Sequence, residues 1–204
     1  MIRFLDAAGL AARPALAAQM HAHRAAQFHA RLGWDVSVDG GEERDQYDGG
    51  AALYAVLTDG TRHLGSMRFL PTRGRTMTEE HFAFLYPGSP IRDAAIWECT
   101  RFAVAPGAPA GAAAALLLGG LELGLALGLT GSIGVYGASM ERVYARLGWP
   151  PIRLGASGDL RLGLWRYGAR LRRPLARRAG LGARAVRHGL RIDGIAGRPR
   201  SAPL

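Results

Sequence analysis

Within the apolar run 94–104 stands Trp97-Glu98-Cys99-Thr100-Arg101-Phe102, which places a carboxylate and a guanidinium three residues apart in what reads as a buried strand. Charges are costly there unless they are paired or used. The pair is therefore either an ion-pair strut or part of a polar site, in which a carboxylate could exchange a proton and a guanidinium could hold an anion. A second unusual set lies upstream: Arg24 and Phe28 one helical turn apart, then Trp34, then Glu43, Asp45 and Asp48 close together, then Arg68 inside another apolar strand. Together they suggest a polar active site built on a sheet. His21, His23 and His29 lie on one helix without an i, i+4 pair among them, so they read as surface or satisfied residues and no metal site is expected.

The elements that must position these groups follow from the pattern. Leu10 to Leu32 is helical in composition, with Leu16, Met20, His23 and Gln27 at helical spacing, and Gly33 ends it. Residues 34–50 lack a period and read as a long ordered loop, a feature that in compact domains tends to carry function. Residues 51–57 and 62–70 read as two strands joined by Thr58-Asp59-Gly60-Thr61 into an antiparallel hairpin, which Pro71 stops. Thr78 opens a short helix with Glu79 and Glu80 in its first turn. After the strand 94–104, Pro106 and Pro109 lead into a helix over 111–129. A strand over 132–137, a helix over 139–147 closed by Gly148 and a last strand over 161–167 complete the order. This predicts an α/β sandwich with a mixed, mostly antiparallel sheet. The spacing of Gly120, Gly124 and Gly128 suits a helix packed closely on that sheet.

A chain of 204 residues suits one domain with a proper core, read as 1–168, followed by an Arg-rich helix or tail, 169–204, that is partly disordered. All 26 basic residues are Arg, and the net charge of +10 is unevenly placed. Residues 1–158 balance 14 Arg against 14 acids, whereas 159–204 hold 12 Arg against Asp159 and Asp193. Beyond Trp165 and Tyr167 the tail has no Phe, Trp or Tyr for base stacking, so nucleic acid is not an expected partner. Solvation is the first reading of the tail, and docking to an acidic protein or membrane surface the second. Cys99 is alone, which rules out an intrachain disulfide and fits a reducing, cytoplasmic setting. No secretory leader is read at the N-terminus. The apolar stretch 111–135 contains seven glycines and reads as a buried helix followed by a strand, so an integral membrane protein is not expected.

The set Arg24, Phe28, Trp34, Glu43-Arg44-Asp45-Gln46-Tyr47-Asp48, Gly65-Ser66-Met67-Arg68-Phe69-Leu70-Pro71-Thr72 and Trp97 to Phe102 resembles the N-acyl-homoserine-lactone synthases, autoinducer synthases of the LuxI type. The resemblance covers roughly 1–168, including 142–149 and 160–165. It implies a fold similar to the GNAT acyltransferases and a reaction between S-adenosylmethionine and an acyl thioester on acyl carrier protein. The product would be a quorum-sensing lactone. No cofactor is implied, S-adenosylmethionine being a substrate.

The resemblance further implies roles. Glu98 would be the general base and Arg101 a second catalytic residue. Arg24, Arg68 and Arg101 would pair with the substrate carboxylate or brace the acids, and Asp45 and Asp48 would recognise its cationic amine and sulfonium. Phe28 and Trp34 would close the pocket, offering aromatic faces to the sulfonium. Leu70, Phe84, Phe102, Val104, Leu118, Val135 and Tyr136 are the expected acyl lining, and Met67, Met77 and Met140 gap-fillers in core or acyl pocket. Many members that favour 3-oxo chains carry Thr on the strand matching 135–137. Here Tyr136 and Gly137 stand there, which argues against that preference. Small residues at 112–115 leave room for a long chain.

Two rivals are weighed against this reading. An acetyl-CoA-dependent acetyltransferase would need an Arg or Gln and backbone donors after the central strand, whereas Ala105 to Ala112 carries two prolines and no Arg or Gln. An acyl-CoA donor stays open. A catalytically inactive relative acting through its tail would not need the charged landmarks, all of which are intact.

Overall fold

In the computed structural model, which describes residues 1–181, the chain opens with a strand that the sequence pattern left unassigned, β1 (Ile2–Asp6). The Asp6 carboxylate accepts a hydrogen bond from Gly9 N at 2.7 Å and so caps α1 (Ala7–Ala11). The helix expected over 10–32 is interrupted here. Pro14 has no N–H with which to continue α1, and it becomes the first residue of α2 (Pro14–Arg24). This helix widens into a π-helical stretch, Ala25–Arg31, before Gly33 turns the chain at φ 64°. The loop that follows is irregular apart from a minimal hairpin, β2 (Val38–Asp39) with β3 (Glu42–Glu43).

The expected antiparallel hairpin is formed by β4 (Leu53–Thr58) and β5 (His63–Pro71). Helix α3 (Met77–His81) starts one residue earlier than expected, because Thr76 is its cap and accepts from Glu79 N. Then come β6 (Ile96–Val104), α4 (Ala112–Ala126), β7 (Gly131–Gly137) and α5 (Met140–Leu147). A second unassigned strand, β8 (Ile152–Ser157), precedes β9 (Leu160–Arg166) and α6 (Arg172–Arg178).

Seven strands make one sheet in the order β1-β4-β5-β6-β7-β9-β8. Only β6 and β7 are parallel, and α4 is the crossover between them. The sheet is thus mixed and mostly antiparallel, as expected. Apolar side chains of β1, β4 and β5 pack against α4 on one face, while α2 covers Leu5, Tyr54, Val56 and Leu70 on the other. The β6–β7 ladder joins only Ile96–Glu98 to Gly131–Ile133. Beyond it the two strands part, which leaves a wedge at the centre of the sheet.

Close packing of α4 rests on glycines. A Cβ at Gly120 would lie 3.0 Å from Met67 Sδ, and one at Gly124 only 1.9 Å from the Tyr167 ring. Gly128 lies past the helix at φ 70° and meets nothing. The packed structure also extends beyond Gly168. Leu175 of α6 is fully buried in the α4-side core, and Arg172 Nε meets Glu122, the one charge of the 111–135 run, at 2.6 Å. The remainder of the Arg-rich segment, 182–204, lies outside the described residues. Among the described residues no helix is long and apolar enough to cross a membrane.

Candidate active site

A bulge in β6 creates the site. Ser66 pairs with Ala103 but Arg68 pairs with Thr100, so β6 carries one residue more than β5 between those points. Trp97 and Cys99 point to the α4 side before the bulge, Phe102 and Val104 do so after it, and both Thr100 and Arg101 are left for the opposite face. Arg101 sits at φ 53°, the one non-glycine of the described residues in the left-handed region. That conformation costs about 1–3 kcal/mol in general and is kept where surrounding contacts enforce it.

Those contacts are a closed set of three guanidiniums and three carboxylates. Glu43, from β3, is fully buried between two arginines: Oε2 accepts from Arg24 Nε at 2.5 Å and Oε1 from Arg101 NH2 at 2.8 Å. Asp48 holds Arg24 in a two-pronged bond (2.7 and 2.9 Å) and also accepts from Arg68 NH1 and the Tyr54 hydroxyl. Asp45 takes Arg68 in the same forked way, at 2.5 and 2.9 Å, and meets Arg101 NH2 at 2.9 Å. Arg68 Nε donates to Thr100 Oγ1 at 3.0 Å. His21 Nδ1 donates to the Glu43 carbonyl at 2.9 Å and so ties the loop to α2.

Burial and pairing oppose each other in the ionisation of this set. Burial pushes the Asp48 carboxyl up, but the bonds and charge of Arg24 and the charge of Arg68 outweigh it and hold it well below the usual range. Burial likewise works to lower Arg24, and Asp48 and Glu43 reverse it, so this guanidinium stays charged. Three positive and three negative charges then balance.

The π-helical stretch presents Phe28 to this cluster, with the Arg101 guanidinium 5.3 Å from its ring centroid. Trp34 stacks on Phe28 with ring centroids 5.3 Å apart and 20° between planes. Glu98, almost wholly buried, lies one strand position from the bulge on the same face as Thr100. Its Oε2 accepts from Met77 N at 2.9 Å and its Oε1 from Thr78 N at 2.6 Å, so it caps α3. Burial raises its pKa, against the bonds from Thr78 and Met77 that lower it. The Tyr47 hydroxyl donates to Glu80 of α3 at 2.6 Å and the Tyr47 ring carries Arg68 on its face, which latches the acidic loop to α3.

Arg24, Phe28, Trp34, Asp45, Asp48, Arg68 and Arg101 are thus brought together, with Glu98 at the edge. Glu43, which the sequence sets beside Asp45 and Asp48 without giving it a role, is the hub that joins Arg24 to Arg101. The oxygens of Asp45 and Asp48 are already engaged within the protein: three of the four accept at least two hydrogen bonds, and Asp45 Oδ2 accepts one from Arg68 and meets Arg101 NH2 at 2.9 Å. Met77 does pack on the core cluster beneath α2, and its sulfur in addition faces Arg68 and Arg101. Cys99 does pack on the α4 side, its sulfur 3.9 Å from Met67 Sδ.

The seven residues expected to line one acyl tunnel are divided among different surroundings. Phe102, Val104, Leu118 and Tyr136 share the α4-side core; Val135 packs with Ile133 and Leu162 on the other face; Leu70 lies under α2. Phe84 is 59% exposed and lines no buried tunnel. Apolarity selected these positions, but alternation along each strand sends neighbours to opposite faces.

A sequence model of the family described as autoinducer synthase matches residues 10–160. The chain belongs to the autoinducer synthase family. An acyl-homoserine-lactone synthase from Rhizobium etli is 40% identical over 159 residues, which span 72% of this chain and 75% of that one. Among solved structures, the CoA-dependent acyl-homoserine lactone synthase MesI is similar with TM-score 0.80 and 25% identity, over 90% of this chain and 97% of its own. BjaI, a CoA-dependent synthase solved with SAM and isopentyl-CoA, shares the fold at TM-score 0.78 and 21% identity, over 90% of each chain. The synthase described here is therefore an acyltransferase with a GNAT-like fold that makes acyl-homoserine lactones.

Proposed function

We propose that the synthase joins S-adenosylmethionine to an acyl group carried as a thioester on acyl carrier protein, needs no cofactor, and works in the cytoplasm. The observation that carries this reading is the charge-balanced cluster on the β5–β6 face, roofed by Phe28 and Trp34 and flanked by a buried carboxylate, Glu98. The aromatic pair suits a sulfonium and adenine, and the arginines suit the substrate carboxylate.

In the first step the α-amine nitrogen bonds to the thioester carbonyl carbon, the carbon–sulfur bond breaks, and the sulfur leaves on the carrier as a thiolate, which then takes up the proton that Glu98 has received. The amine proton passes to Glu98, directly or through a water. Each Glu98 oxygen accepts one amide N–H in α3 and keeps a lone pair for this transfer. Its raised pKa brings it nearer to that of an α-amine, about 7.7–8.0, which makes it a better base than an exposed glutamate. In the second step a carboxylate oxygen attacks the γ-carbon and methylthioadenosine departs. The acyl chain is assigned to the wedge between β6 and β7, against Phe102 and Tyr136.

The similarity to MesI favours a second reading for the donor, acyl-CoA. Against it, a Cβ at Gly111, beside the α4 N-terminus, would lie 2.7 Å from Ala179 O at the end of α6, which narrows the place where a diphosphate would sit. Purified protein given S-adenosylmethionine with acyl carrier protein thioesters or acyl-CoA, followed by lactone and methylthioadenosine release, decides. A higher kcat/KM with the carrier supports the proposal, a higher one with CoA replaces the donor, and release with neither overturns the reading.

A further inference from the structure

The sulfur of Met77 is shared by two arginines: Arg68 NH2 donates to it at 3.4 Å and Arg101 NH1 at 3.5 Å. The other Arg68 contacts are with stronger acceptors, namely Thr100, Asp45 and Asp48. Arg101 likewise spends Nε and NH2 on Glu43 and Asp45. A thioether is a weak acceptor, whereas a carboxylate makes charge-assisted bonds about twice as strong as neutral ones. The two N–H groups aimed at Met77 are thus the most weakly held donors of the cluster, and they converge on one point from two different strands.

We propose that Met77 is a displaceable placeholder, a weak acceptor that occupies Arg68 NH2 and Arg101 NH1 until the α-carboxylate of S-adenosylmethionine takes its place. The inference rests on the substrate reading above. Its mechanical basis is the contrast between main chain and side chain. Glu98 fixes Met77 N, and the residue opens α3, so the backbone cannot drift. The side chain is unbranched and half-buried, so it can swing aside. The donors it releases would then hold the carboxylate whose oxygen later closes the lactone.

The test compares Met77→Leu and Met77→Gln with the wild type in the full chain, using S-adenosylmethionine and its decarboxylated analogue, a competitive ligand without the carboxylate. Gln offers a stronger acceptor at similar length and should raise the KM for S-adenosylmethionine about tenfold, while Leu offers none and should lower it about threefold. The Ki of the decarboxylated analogue should stay within about twofold of wild type in both variants. Shifts of KM in the same direction for Leu and Gln, or an analogue Ki that follows KM, overturn the proposal, because either marks a change of pocket shape. If Met77→Gln fails to fold, Met77→Leu alone decides, and a raised KM overturns. A wild type that turns over no S-adenosylmethionine would instead defeat the substrate reading.

Discussion

The synthase has two kinds of ion pair, and their distances do not tell them apart. On the surface, Arg44–Glu42, Arg62–Asp59, Arg75–Glu80 and Arg92–Glu79 stand at 2.5–2.7 Å, with their arginines 54–76% exposed. Beneath α2, Arg24, Arg68 and Arg101 meet Glu43, Asp45 and Asp48 at 2.5–2.9 Å, nearly shut off from water. Most outer pairs join residues close in sequence, whereas the inner bonds span up to 58 residues and tie α2, the acidic loop, β5 and β6 to one another. Burial and sharing, more than proximity, make the inner set a device that fixes geometry. Exposed pairs gain little because solvent screens them.

The contrast can be broken most forcefully at Glu43. Glu43→Ala leaves Arg24 with Asp48 and Arg101 with Asp45 as their remaining carboxylates, opens a buried excess of positive charge, and should cost about 3–5 kcal/mol of stability in urea unfolding. A cost near that of a surface substitution would erase the distinction. Arg68→Lys keeps the charge but loses the fork, and should cost about 2–3 kcal/mol by the same measurement. The His23–His63 pair offers a buried polar contact with no acid, the ring nitrogens 2.8 Å apart. Burial lowers His63 from 6.5 to about 3, so its contribution is present above pH 6.5 and is lost as pH falls from there towards 3. Thermal melts should show a fall of about 2 kcal/mol between pH 6.5 and 5 that His63→Gln abolishes. Arg62→Ala should leave the unfolding midpoint unchanged, and 1 M salt should do so too, because the inner pairs lie beyond its screening.

What was legible in the sequence follows the same division. The hairpin 53–71, β6, α4 and α5 declare themselves through period, turn residues and breakers, which act locally. β1 and β8 do not, because each is a short strand at a sheet edge, and β8 has scarcely a buried side chain to set an alternation. The bulge was visible in principle: apolar residues fall at 97 and 99 but then at 102 and 104, a change of parity around Thr100 and Arg101. The site residues were recognisable by type and order, yet Glu43 as hub, the engagement of Asp45 and Asp48 by the arginines, and the sulfur of Met77 depend on contacts between distant segments. The residues expected as acyl lining are divided between the two faces for a related reason, since apolarity marks burial without saying on which face.

The most direct experiment is mass spectrometry of lipid-soluble products from a heterologous host expressing the wild type or Glu98→Gln. Homoserine-lactone fragment ions from the wild type, with a loss of about 10²–10⁴-fold in the variant, are the expected result for a general base. Soluble wild-type protein that yields no lactone in a host supplying S-adenosylmethionine and acyl thioesters would contradict the proposed reaction, and equal yields from both would reduce Glu98 to the cap of α3.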